Sequence, residues 1–176
     1  MSPIRFKAKM NTPDPAAEVD SSMLITLPTD ASVKLPSRGM VMVKGTLNGV
    51  RIRVLIQPDG QGSHWFGVDK DLRQAADVTT GDTVNLEIQP TKDWPEPELT
   101  ADIEKALAAD PQAQAVWTDI TPMARWDWLN WMGSVKLPKT LQERPEKLCS
   151  MLKAGKRRPC CFKRSMQMPP KNAELL

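Results

Sequence analysis

Apolar and polar positions alternate along the first half of this chain and change to a helical period in the second. Alternation is clearest in Ile4-Arg5-Phe6-Lys7-Ala8-Lys9 and in Val50-Arg51-Ile52-Arg53-Val54, which runs on into Leu55-Ile56. Period two with β-branched residues predicts strands that bury one face. The basic residues at 5, 7, 9, 51 and 53 then fall on the wet face.

Each strand heads a longer series, and the two series match. The first continues through Met23-Leu24-Ile25-Thr26-Leu27, the polar Pro28-Thr29-Asp30-Ala31-Ser32, Gly39 and Met40-Val41-Met42-Val43. The second continues through Trp65-Phe66-Gly67-Val68, Lys70 to Ala76, Gly81 and Thr83 to Ile88. Corresponding points lie 46 residues apart at Arg5 and Arg51, 41 at Ile25 and Phe66, and 42 at Gly39 and Gly81, as a shortened first loop requires. Each half thus reads strand, strand, short helix, glycine turn, strand, an internal duplication. Asn48-Gly49 joins the halves and tolerates the positive φ of a type I′ hairpin turn. Six short strands related in this way predict a small pseudo-twofold barrel, which leaves no exposed sheet edge.

Trp94-Pro95-Glu96-Pro97 ends the alternating region. Beyond it Leu99, Ile103, Ala106 and Leu107 have the spacing of an amphipathic helix. Asp110-Pro111 and Thr121-Pro122 each set a capping residue before a proline at the first helical position, so two more helices begin there. Pro145 is expected to interrupt the last helix, which resumes at Leu148, Met151 and Leu152 and stops at Gly155. In the helix from Thr121, residues Ala124, Trp128, Trp131, Met132 and Val135 share a face and are expected in a core. Trp126 points the other way, either packed or open to a partner. The fold class is therefore α+β: a double-split barrel over 1–93, helices over 94–158 and a basic tail over 159–176.

Charge divides along the same line. The net charge of +3 over 176 residues conceals 16 Lys+Arg against 20 Asp+Glu up to residue 146, a net of −4, and 8 against 1 beyond it, a net of +7. A cationic end suits an acidic partner, nucleic acid or a solvated tail. No secretory or membrane-spanning apolar run is present. The three cysteines, Cys149, Cys160 and Cys161, lack disulfide spacing and suit a reducing compartment, so a cytoplasmic protein is expected.

Candidate chemistry is sparse. His64 is the single histidine, which leaves no imidazole pair for a metal, and its place at a strand start predicts a structural role. The cysteines lack the paired spacing of a zinc site. Asp59-Gly60-Gln61-Gly62 has glycines but neither the lysine nor the hydroxyl residue of a phosphate loop. No cofactor signature, metal site or catalytic motif appears, and a non-enzyme is expected.

The segments Val43 to Gly49 and Ala76-Asp77-Val78-Thr79-Thr80-Gly81-Asp82-Thr83-Val84 resemble an uncharacterised bacterial domain of double-split barrel type. That domain precedes a helical YdeI/OmpD-associated segment, also labelled bacteriocin-protection, which the chain resembles from Leu107 through Lys156. The shared motif reads here Trp128 to Trp131, Val135-Lys136, Lys139-Thr140-Leu141 and Met151-Leu152-Lys153-Ala154-Gly155-Lys156-Arg157. Lys139 and Leu141 stand where the family has Glu and Arg, so a site built on that arginine does not carry over. The resemblance implies a link to stress or bacteriocin resistance and brings no established reaction. More distantly, the barrel resembles AbrB-like regulators, which bind DNA.

The expected function is a binding protein whose helical half meets a protein partner through Lys136, Thr140, Arg144, Lys156, Arg157, Arg158 and Trp126. Nucleic-acid binding through the barrel is the alternative, with Arg51, Arg53, Arg157 and Arg158 as contacts. A small-molecule pocket near Trp126 and His64 is the third reading.

Overall fold

In the computed structural model, residues 2–12, 23–133, 138–159 and 173–176 are described. The order is β1 (Ile4–Asn11), β2 (Met23–Thr26), α1 (Thr29–Ser32), β3 (Val41–Leu47), β4 (Val50–Pro58), β5 (His64–Val68), α2 (Lys70–Ala76) and β6 (Thr83–Pro90). Then follow α3 (Ala101–Ala108), α4 (Pro111–Asp119), α5 (Pro122–Gly133), α6 (Pro138–Lys153) and β7 (Ala173–Leu175). The chain forms two compact units, one of Met1–Asp93 with Lys171–Leu176 and one of Trp94–Pro170.

The predicted duplication is present, since β1-β2-α1-β3 is answered by β4-β5-α2-β6. All pairings are antiparallel in the order β3-β6-β1-β2-β5-β4, and β3 pairs again with β4 to close a six-stranded barrel. Exchanging β1 with β4, β2 with β5 and β3 with β6 returns the same set of barrel pairings. This invariance is the pseudo-twofold expressed in hydrogen bonds. Inward residues of all six strands, among them Ile25, Val43, Val54, Phe66 and Ile88, are fully buried in one cluster. Asn48 and Gly49 adopt φ 47° and 87° at the hairpin joining the halves, as its sequence predicts. Gly45 answers another need: a Cβ there would lie 1.8 Å from the Glu87 carbonyl oxygen, so only glycine lets β3 and β6 meet.

Two expectations are corrected. Ala173–Leu175, read from sequence as part of a tail, forms β7 against Ile52–Val54 of β4. Proline does not break α6, which runs from Pro138 to Lys153 with Pro145 inside it. Proline removes one amide donor, while Pro145, Leu148, Cys149 and Leu152 are all buried; packing overrides the local preference.

The helical unit has its own core, in which Ile103, Leu107, Ala113, Trp117, Trp128 and Leu148 meet. The Asp110 side chain caps α4 by accepting from the Ala113 amide at 3.2 Å, and Thr121 caps α5 through the Ala124 amide at 3.2 Å. Gly155, at φ 84°, ends the last helix while the Lys156 amide donates back to the Met151 carbonyl at 3.1 Å, as a left-handed C-terminal turn does.

Candidate functional site

Two of the cations expected to meet a partner, Arg157 and Arg158, are engaged within the helical unit itself. Arg157 donates to the Asp119 carboxylate at 2.7 Å and to the Asp119 carbonyl at 3.1 Å. Arg158 pairs with Asp127 at 3.1 Å, and Lys153 with Asp110 at 2.7 Å. The fully buried Trp128 donates its indole N–H to the Arg157 carbonyl at 3.3 Å. The segment from Gly155 to Arg158 is thus a strap that fastens the end of α6 to α4 and α5. Partnership with Lys153 holds the Asp110 carboxyl below the ordinary carboxylate range and raises the Lys153 ammonium. Lys156, between them, is exposed.

Trp126 is packed rather than open. It is 5% exposed and donates its indole N–H to the Pro95 carbonyl at 2.9 Å. The neighbouring Arg125 donates to the last carbonyls of α4, at Trp117 (2.9 Å) and Thr118 (2.8 Å), and pairs with Glu96. Together they anchor the proline-rich segment to its own unit. Trp128 and Trp131 meet edge to face at 5.6 Å, so the tryptophan stripe is core, as the spacing predicts.

Arg144 stands apart from this lacework. Its guanidinium lies 3.8 Å from the centroid of the Trp131 ring, a cation–π contact, and donates to the Trp131 carbonyl at 3.3 Å. Among the described residues no carboxylate pairs with it. Burial pushes its pKa down, and no neighbouring charge offsets that effect. Thr140, half-buried, precedes it by one helical turn on the same side of α6. Lys136, named with them from sequence, lies outside the described residues, as do Cys160 and Cys161. Cys149 is buried in the helical core, which pushes its thiol pKa up, the opposite of a reactive thiolate.

One polar cluster has no sequence motif. Within the barrel unit, Ser32 Oγ lies 2.7 Å from His64 Nδ1, and His64 Nε2 lies 3.1 Å from the Gly39 carbonyl oxygen. A carbonyl only accepts, so Nε2 carries the proton and Nδ1 accepts from the serine. Arg38 donates to Ser32 Oγ and to its carbonyl at 3.3 Å each, and to the Gly62 carbonyl. Ser32 and His64 are both fully buried, so the cluster ties the loops around Gly39 and Gly62 to α1. Burial lowers the His64 pKa. This is the structural histidine that its position predicts, and its partner is Ser32; the 32-residue separation hides the pair from any local motif.

Among the described residues no group of three or more His, Cys, Asp or Glu side chains could hold a metal ion, and no helix is long and apolar enough to cross a membrane. A duplicated, closed β-barrel followed by a helical unit, with four helices among its described residues and arginines strapping the end of the last, defines a two-part α+β protein. Residues 6–88 match the family model of a domain of unknown function, DUF1905, and residues 96–155 match the model described as bacteriocin-protection, YdeI or OmpD-associated. The two matches fall one on the barrel unit and one on the helical unit, in the order that the sequence resemblance implies. No curated protein matches the chain significantly.

Proposed function

We propose that the protein is a non-catalytic interaction protein of the bacterial cytoplasm, and that its helical unit recognises an anionic group on a protein partner at Arg144. The observation that carries this reading is a half-buried guanidinium, stacked on Trp131, with no carboxylate partner among the described residues. A cation withdrawn from water is ordinarily paired, and a stacked guanidinium offers a flat fork of donors to a carboxylate or phosphate. Thr140 adds a hydroxyl one turn away. The strap narrows the contact surface, because Arg157 and Arg158 already hold Asp119 and Asp127. The family description suggests bacteriocin protection as the setting in which such a partner acts.

Affinity capture from native lysate with the full chain tests the reading. A partner held by wild type and by Lys147→Gln, but depleted at least tenfold by Arg144→Gln, supports it. Equal recovery with Arg144→Gln would remove the site, and turnover of a substrate panel by purified protein without any captured partner would remove the class. Loss of bacteriocin tolerance in a deletion strain, restored by wild type and not by Arg144→Gln, would tie the site to the family's name.

A further inference from the structure

The pseudo-twofold of the barrel unit is broken at one place, where a strand has been added. On one side β4 pairs with β3 from Val50 to Ile56, but on the other β5 reaches only Gln57 and Pro58. In the matching half β6 accompanies β1 from Ile4 to Lys9, and β2 reaches only Met10 and Asn11. Each half therefore has a split, in which the barrel strands leave one edge of the long strand unpaired. The two splits are filled differently. At β1 the helix α1 lies directly against the strand, whereas at β4 the segment Ala173–Leu175 pairs with the edge and α2 lies against that segment. The two-residue hairpin makes Leu47 and Val50 a hydrogen-bonded pair, so Val50, Ile52 and Val54 turn their amides and carbonyls to β3, and Arg51 and Arg53 turn theirs into the split. There the Leu176 amide donates to the Arg51 carbonyl at 3.1 Å, and Glu174 stands opposite Arg53 in register.

An edge of this kind is a template for any strand, and β7 covers it incompletely. Its pairing spans Ile52–Val54. Leu175 stands opposite the fully buried Ile52 yet is 44% exposed, and Leu176 is 51% exposed. The ring closes through β3 and β4 without β7, so a strand can leave the split without opening the barrel.

We propose that the split between β4 and α2 is a strand-addition site for an extended segment of a partner protein, and that β7 is its exchangeable internal occupant. Strand addition draws affinity from main-chain bonds and selectivity from alternate side chains. The resident segment reads apolar, acidic, apolar at Ala173, Glu174 and Leu175, opposite Val54, Arg53 and Ile52. Arg53 opposes the acidic position, and Arg51, two residues along the same face, is exposed with no carboxylate partner among the described residues. The site therefore selects the same alternation, with an acid opposite Arg53 and an apolar residue opposite Ile52. A second copy offers only the strand it already seats in itself, so exchange between copies gains no pairing. A foreign segment with a bulkier apolar residue opposite Ile52 covers area that Leu175 leaves open. The site is separate from Arg144, so either reading can fail without the other.

Fluorescence anisotropy with the full chain and a labelled, amidated peptide Pro-Lys-Asn-Ala-Glu-Phe-Leu tests it. The internal strand competes at an effective concentration of about millimolar, so wild type is expected to bind the peptide weakly. Glu174→Pro removes an amide donor from β7 and should tighten binding about tenfold. Glu174→Lys, which sets a like charge opposite Arg53, should act in the same direction and serves if the proline variant fails to fold. A peptide with lysine in place of its glutamate should bind these variants about tenfold more weakly, and Arg53→Glu should invert the preference between the two peptides. Absence of binding by wild type and both β7 variants overturns the proposal, as does equal binding of the glutamate and lysine peptides. Binding that neither β7 variant alters lies elsewhere on the chain and overturns it too. A wild-type dimer in analytical ultracentrifugation that Glu174→Pro abolishes, without peptide uptake, overturns it in favour of exchange between copies.

Discussion

At the scale of single residues, two positions carry consequences their neighbours do not share. Gly45 is fixed by contact rather than by turn geometry, because a methyl group there would strike the Glu87 carbonyl carbon and oxygen at 2.8 and 1.8 Å. Gly45→Ala is expected to lower stability by about 2–3 kcal/mol or to open the β3–β6 pairing, read from urea denaturation and from amide exchange along β6. His64 sets a pH limit. Its folded pKa lies below the ordinary 6.5, so the unfolded chain takes up the proton first. The stabilisation is complete above about pH 6.5 and is lost as pH falls from there through the folded value. Denaturation midpoints should fall as pH drops below about 6.5, and His64→Asn should show a lower midpoint with a shallower pH dependence. A slope unchanged by the substitution would remove His64 as its cause. The sequence places His64 at a strand start, but only the fold delivers Ser32, Arg38 and the Gly39 carbonyl to it.

At the scale of elements, the strap after α6 separates buried from exposed contributions. Trp128 is fully buried and bonded to the Arg157 carbonyl, so Trp128→Phe should cost about 2–3 kcal/mol through a lost hydrogen bond and a cavity. The Arg157–Asp119 pair leaves its side chains 58% and 71% exposed, and Arg157→Ala should cost less than about 1 kcal/mol. Denaturation of both variants decides whether the strap is held by its backbone or by its charges; a larger loss for Arg157→Ala would reverse the assignment. Helix starts at Pro111 and Pro122 were legible because capping and proline act within a few residues. The continuity of α6 through Pro145 was not, since it depends on Leu148, Cys149 and Leu152 finding a core built by other helices.

At the scale of the whole molecule, barrel closure and edge protection are separate. The β3–β4 pairing closes the ring without β7, which adds to β4 over Ile52–Val54. Deleting residues 171–176 should therefore leave the barrel folded, with the same far-ultraviolet circular dichroism and a loss of about 1–3 kcal/mol from a few backbone hydrogen bonds; collapse of the barrel would show that β7 completes it. The duplication, the hairpin at Asn48-Gly49, the strand faces and most helix boundaries were determined by the sequence itself. They rest on interactions whose range is a turn or a repeat: side-chain alternation, positive φ at Asn and Gly, caps and proline geometry. The tertiary structure alone decided which cations are free. Arg157, Arg158 and Lys153 look like a solvated basic run in one dimension, yet each meets a carboxylate from a distant helix. Arg5 and Glu87 stand far apart in sequence, yet antiparallel register sets them side by side at 2.6 Å. Charge is read along the chain, but electrostatic pairing depends on distance in space, and only the register of strands and the crossing of helices set that distance.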